Sequence, residues 1–140
     1  MTAEVRSEVP MSDICGVPRW VFPPPEGFRA TDLDHMPQLP AHTELIDGSL
    51  VFVSPRASFH TLMLFLLERE LRRYVPSQLR VRREMSIILG TRQRPEPDMV
   101  IIRAEAVQGT GETAYQAGDV VLVVEVVSPE SEERDRKRKP

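Results

Sequence analysis

The chain has 140 residues, 41% of them hydrophobic and 28% charged, with a net charge of −3, which suits one modest globular domain and not two. A single cysteine, Cys15, rules out an intrachain disulfide, gives no Cys/His zinc pattern and points to a reducing cytoplasm. Residues 1–10 hold no apolar stretch of the signal-peptide kind, and the longest apolar run, Leu62 to Leu67, is far too short to cross a bilayer.

The net charge argues against a generally basic nucleic-acid binder, but its distribution is uneven. Eight arginines fall between Arg69 and Arg94, against only Glu70 and Glu84 in the same stretch. Lysine is confined to Lys137 and Lys139 at the end of the sequence.

Residues 1–41 hold seven of the thirteen prolines and read as a mostly irregular arm, with a short helical turn near Thr31 or Asp32. Cys15, Trp20 and Phe22 could pack this arm on the domain. We place the arm at residues 1–30 and the domain at residues 31–140. Glu44-Leu45-Ile46, then Asp47-Gly48, then Leu50 to Val53 predicts a β-hairpin with an Asp-Gly turn. Ser58 to Tyr74 predicts a helix whose apolar face carries Phe59, Leu62, Met63, Leu66, Leu67, Leu71 and Tyr74, and Pro76 ends it.

Leu79 to Leu89 alternates as a half-exposed strand with Arg80 and Arg82 outward. Asp98 to Ile102 and Val120 to Val127 are apolar on both faces, as strands covered on each side would be. A polar loop over 104–118 joins them. After Pro129 the sequence turns abruptly charged and looks helical. The expected order is β-β-α-β-β-β-α, an α/β sandwich with a mixed sheet flanked by helices.

Two acids stand where the pattern calls for apolar residues: Asp98 opens one strand and Glu125 interrupts another. A buried carboxylate must be paired, protonated or metal-bound. A solvent-facing strand position would explain Glu125 alone, and a turn cap Asp98 alone. Together, at matching ends of two strands, they point to a site. Oxygen ligands of this kind suit Mg²⁺ or Mn²⁺ better than zinc.

Glu44-Leu45-Ile46-Asp47-Gly48, His60 at a helix start, Pro97-Asp98, and Glu125-Val126-Val127-Ser128-Pro129 followed by Asp135 and Lys139 resemble the Uma-type restriction endonucleases of the PD-(D/E)XK nuclease superfamily. The resemblance runs from about Thr31 to the last residue. It implies a restriction-endonuclease-like fold and metal-dependent hydrolysis of DNA. Asp98 and Glu125 would then hold the metal, joined by the Val126 carbonyl and completed by Glu44, often through water. The position where the superfamily usually places a lysine, two residues past the Glu, is Val127 here. The resemblance takes the lysine from the following helix, as Lys139, with Lys137 as the fallback.

His60 could contact phosphate or support Glu44, or simply face solvent. Asp135 could pair with a neighbouring Arg and position the tail helix. Arg80, Arg82, Arg83, Arg92 and Arg94 could meet DNA phosphates, or belong to a solvated strand face. Relatives continue past residue 140, so a closing strand and the end of the tail helix look absent. An uncovered sheet edge at Val120 to Val127 is then expected, and a homodimer is a candidate assembly. The competing readings are an inactive relative that binds nucleic acid or a protein, and a two-carboxylate glycosidase, which the low aromatic content disfavours.

Overall fold

The structure, a computed structural model, describes residues 22–53 and 55–127. Strands β1 (Glu44–Ile46) and β2 (Ser49–Val51) form the hairpin. Asp47 (φ 50°) and Gly48 (φ 78°) are both left-handed, the geometry that matches a two-residue hairpin turn to the strand twist. Gly48 is also a point of close approach, because a Cβ there would lie 3.2 Å from the Arg92 side chain. Leu45 exchanges both backbone hydrogen bonds with Arg94, which fastens the hairpin to the segment leading into Asp98.

Helix α1 spans Ser58–Tyr74, but its buried side differs from the expected one. Leu64 and His60 are buried, and Met63, Leu67 and Leu71 pack beside Leu64. Phe59, Leu62 and Tyr74, expected in the core, are exposed. The physical reason lies in the sequence: Leu62 to Leu67 is apolar without interruption, so hydrophobicity alone does not choose a face.

The expected strand from Leu79 to Leu89 is broken in two. Strand β3 (Leu79–Arg83) ends at Glu84, whose φ of 52° turns the chain, and β4 (Ser86–Ile88) leaves for another sheet. There it pairs in parallel with β6 (Ala114–Gln116), within the segment expected to be loop. Strand β5 (Met99–Arg103) lies between β3 and β7 (Val120–Val124), antiparallel to both.

Strand β5 is the centre of the fold. Met99 and Ile101 pack toward α1 with Leu64, Val81 and Val126, whereas Val100 and Ile102 pack on the other side with Ile87 and Tyr115. This is the side-chain alternation of a strand covered on both faces. The same coverage was expected of β7, but Val121, Leu122 and Val123 are exposed, and β7 is the end strand of its sheet among the described residues.

A third cluster joins Phe28, Ala30 and Leu45, next to a 3-10 helix at Ala30–His35. Phe28 and Ala30 are thus packed, while Phe22 is exposed. Cys15, Trp20 and the charged segment carrying Asp135, Lys137 and Lys139 lie outside the described residues. No helix among the described residues is long and apolar enough to cross a membrane.

The facing of α1 can be checked by paired truncations. Leu64→Ala, at 1% exposure, should cost about 2–5 kcal/mol. Leu62→Ala, at 55% exposure, should cost less than about 0.5 kcal/mol in the same urea titration.

Candidate functional site

Asp98 stands one residue before β5, at 2% exposure. Its neighbours across the sheet are acidic. Met99 pairs with Val124 and with Arg83, so one further step along each ladder sets Asp98 level with Glu125 on one side and Glu84 on the other. The Glu84 N–H donates to the Asp98 carbonyl at 3.0 Å. On the other side the Val126 N–H donates to Asp98 Oδ2 at 2.7 Å. The buried carboxylate thus ties the end of β7 to the start of β5.

The remaining oxygen, Oδ1, faces two basic side chains. His60 Nε2, from the first turn of α1, lies 3.2 Å away, and Arg56 Nη2 lies 3.6 Å away. Arg56 Nη1 is also 3.1 Å from the same His60 Nε2. These contacts cannot all be hydrogen bonds. A guanidinium only donates and an ionised carboxylate only accepts, so Nε2 either accepts from Arg56 or donates to Asp98.

The site opens into a cavity of about 330 Å³ walled by His42, Arg56, Glu84, Glu96 and Asp98, with Val53, Pro55 and Pro97 as its apolar lining. His42 Nδ1 is 2.6 Å from Glu96 Oε2, and its Nε2 is 3.8 Å from Glu84. Burial pushes the Glu96 carboxyl above its ordinary value, opposed by His42 and reinforced by Glu84 and Glu44. Glu44 is buried behind this wall, where its Oε1 accepts from the Glu96 N–H at 2.8 Å. It braces the segment that delivers Asp98.

The structure therefore gathers Asp98, Val126 and His60 in direct contact, sets Glu125 level with Asp98, and links Glu44 through the Glu96 backbone. His60 stands against Asp98. Sequence reading missed Arg56, His42, Glu84 and Glu96. A signal existed for Glu96 alone: residues two apart on an extended segment face the same way, and Glu96 stands two before Asp98.

Arg94 is not available to DNA. Its guanidinium is buried and donates to the Ala30 carbonyl, Asp34 Oδ1 and the Thr113 carbonyl. Arginines that fasten a fold and arginines that face a phosphate look alike in sequence. Arg83 is paired with Glu68 at 3.4 Å, and Arg80 and Arg82 donate to carbonyls of their own strand region. Arg92 is half-buried, its stem against Gly48.

Burial pushes the Asp34 carboxyl up, but the hydrogen bonds from Arg94 and Thr113 outweigh this and hold it below its ordinary value. A depressed carboxylate contributes stability above its unfolded pKa, about 3.9, and loses it as the pH falls through the lower folded value. Asp34→Asn should therefore flatten the fall of the urea midpoint below about pH 4. At neutral pH it should lower that midpoint, since the buried Arg94 then lacks its anion.

A family profile described as "Uma2: Putative restriction endonuclease" matches residues 30–140. Among solved structures, the fold matches a protein from Anabaena variabilis ATCC 29413, described as a putative nuclease belonging to DUF820, with a TM-score of 0.54 at 18% identity. The match covers 75% of this chain and 63% of that one, so this chain spans under two thirds of its neighbour. No functionally curated protein matches the sequence. With four fifths of its length matched by the profile, and the restriction-endonuclease-like fold in place, the chain belongs to the Uma2 family.

Proposed function

We propose that this chain is a divalent-metal-dependent endonuclease that hydrolyses DNA phosphodiester bonds. The observation that carries the reading is Asp98: a buried carboxylate, fixed by the backbone N–H of Val126 just past the adjacent strand, at the wall of a cavity lined by further acids. Membership of a family described as restriction endonucleases and likeness to a protein described as a nuclease support it.

The donor chemistry fits Mg²⁺ or Mn²⁺. Asp98, Glu84 and Glu96 present hard oxygens to one cavity, the ligands these ions take. Among the described residues, no group of three or more His, Cys, Asp or Glu is placed to hold a metal ion by itself. Mg²⁺ does not require one, because one or two carboxylates are completed by water and substrate phosphate oxygens. Asp98, Glu125 and the Val126 carbonyl would hold the ion, with Glu44 bracing them. When bound, such an ion polarises the phosphodiester and makes its water a nucleophile at neutral pH.

The chain's own residues supply orientation. The Val126 N–H and His60 fix the rotation of Asp98, so that Oδ1 is the oxygen offered to a ligand. Lys139, or Lys137 in its place, would add an ammonium beside the developing phosphorane charge, with Asp135 positioning that segment. Arg80, Arg82 and Arg92 are assigned to phosphate contacts along the DNA.

A second reading, an inactive relative that still binds nucleic acid or a protein, draws on the placement of the chain's own Arg56 and His60 against Asp98 Oδ1. Plasmid nicking with Mg²⁺ separates the two. Asp98→Asn and Glu125→Gln should each lower cleavage by at least about 100-fold, and chelation should abolish it. Cleavage that survives both substitutions would sink the proposed site, and DNA binding without cleavage would favour the second reading.

A further inference from the structure

We infer that Arg56 is the resident counter-cation of Asp98, and that a divalent ion enters this site by displacing the Arg56 guanidinium. The inference rests on the metal site proposed above and adds how the chain regulates access to it.

An ionised carboxylate with a side-chain exposure of 3% needs a compensating positive charge. The Val126 N–H supplies only a dipole, and it engages Oδ2. Oδ1 is left to His60 and to Arg56, which with Asp98 belongs to the cavity wall. Of these, His60 is buried within α1 and has nowhere to go. Arg56 is different in each respect. It lies outside regular structure, between β2 and α1, and its side chain is 33% exposed and forms part of the cavity wall.

Its grip is also weak. At 3.6 Å the contact with Oδ1 is an ion pair beyond good hydrogen-bond length, not the bidentate fork that arginine forms when it is meant to stay. Its other contact is with the His60 nitrogen that Asp98 also approaches, so Arg56 and Asp98 compete for one atom. Departure of Arg56 costs one loose ion pair and the 3.1 Å contact with His60 Nε2, which is then left to Asp98 alone. A divalent ion at Oδ1 brings twice the charge. The displaced guanidinium stays in the cavity wall with its donors free, where a phosphate can accept from them.

Competition of this kind is a reciprocal coupling: whatever Arg56 subtracts from metal affinity, metal subtracts from the Arg56 contact. Mn²⁺ binding to the full chain, followed by titration calorimetry, reads it directly and needs no cleavage. Arg56→Met keeps the stem and removes the charge, and should tighten Mn²⁺ binding at least about fivefold. Arg56→Lys, which keeps a charge, should stay within about twofold of the unmodified chain. Asp98→Asn should remove the gain in the Arg56→Met background.

Thermal melts give an independent reading. Arg56→Met should melt lower than the unmodified chain in chelator, and saturating Mn²⁺ should raise its Tm by the larger increment. Unchanged or weaker Mn²⁺ binding by Arg56→Met, or equal tightening by Arg56→Lys, would overturn the displacement while leaving the metal site standing. Absence of Mn²⁺ binding by both the unmodified chain and Arg56→Met would overturn the metal site, and this inference with it.

Discussion

A carboxylate sealed from water dictates how the other parts of this molecule are arranged. Asp98 is nearly inaccessible, and leaving its charge uncompensated would cost several kcal/mol even after relaxation. Each surrounding element contributes to the compensation. Just past β7, the Val126 N–H meets Oδ2. The first turn of helix α1 sets His60, a polar residue on a buried face, against Oδ1. The loop before α1 adds Arg56. Glu44 on the hairpin holds the approach to Asp98 by its backbone. The hydrophobic layers on either side of β5 then fix this polar centre in space. Burial of Met99 to Ile102 favours those layers by roughly 1.5–3 kcal/mol per large side chain.

This dependence also explains which parts of the fold could be read from sequence. The Asp-Gly turn was legible because its backbone demands left-handed conformations that few residue pairs tolerate. The extent of α1 was legible from its length and from the proline that follows it. Its facing was not, because Phe59 and Leu62 are as apolar as Leu64. The buried side also carries His60, whose partner Asp98 is remote in sequence. Strand β6 escaped notice because it is three residues long in a polar stretch, too short to show a period. The break between β3 and β4 was hidden for another reason. Glu84 adopts a conformation unusual for a non-glycine residue, and nothing in its side chain announces that.

The neighbourhood of Asp98 was legible only in part: Asp98, Glu125 and His60 were singled out, whereas Arg56, His42, Glu84 and Glu96 were not. Asp98 and Glu125 stood out against apolar neighbours, a contrast that survives without coordinates. Arg56 and His42 sit in polar stretches where a charge is ordinary. Arg94 shows the same blindness from the other side: it falls in the arginine-rich stretch that suggested DNA contact, yet it is buried against Ala30, Asp34 and Thr113. Sequence context marks a charge in an apolar run. It cannot tell a structural arginine from a ligand-facing one in a polar run.

The cavity rim combines fixed and movable parts, and the division follows from backbone conformation. His42 and Glu84 both have positive φ, at 63° and 52°, which costs on the order of 1 kcal/mol or more for each residue. Such conformations persist only where neighbouring contacts hold them. His42 is held by Glu96, and beside it the Thr43 hydroxyl donates to the Pro40 carbonyl. Glu84 is held by its N–H bond to the Asp98 carbonyl. The acidic rim is therefore fixed to the same strand end that carries Asp98, so its spacing does not depend on an occupant. Arg56 has no comparable anchor, since its contacts are made by the tip of a long side chain. Adaptation to an entering ligand then falls to that side chain, while the carboxylates that would receive the ligand stay in place.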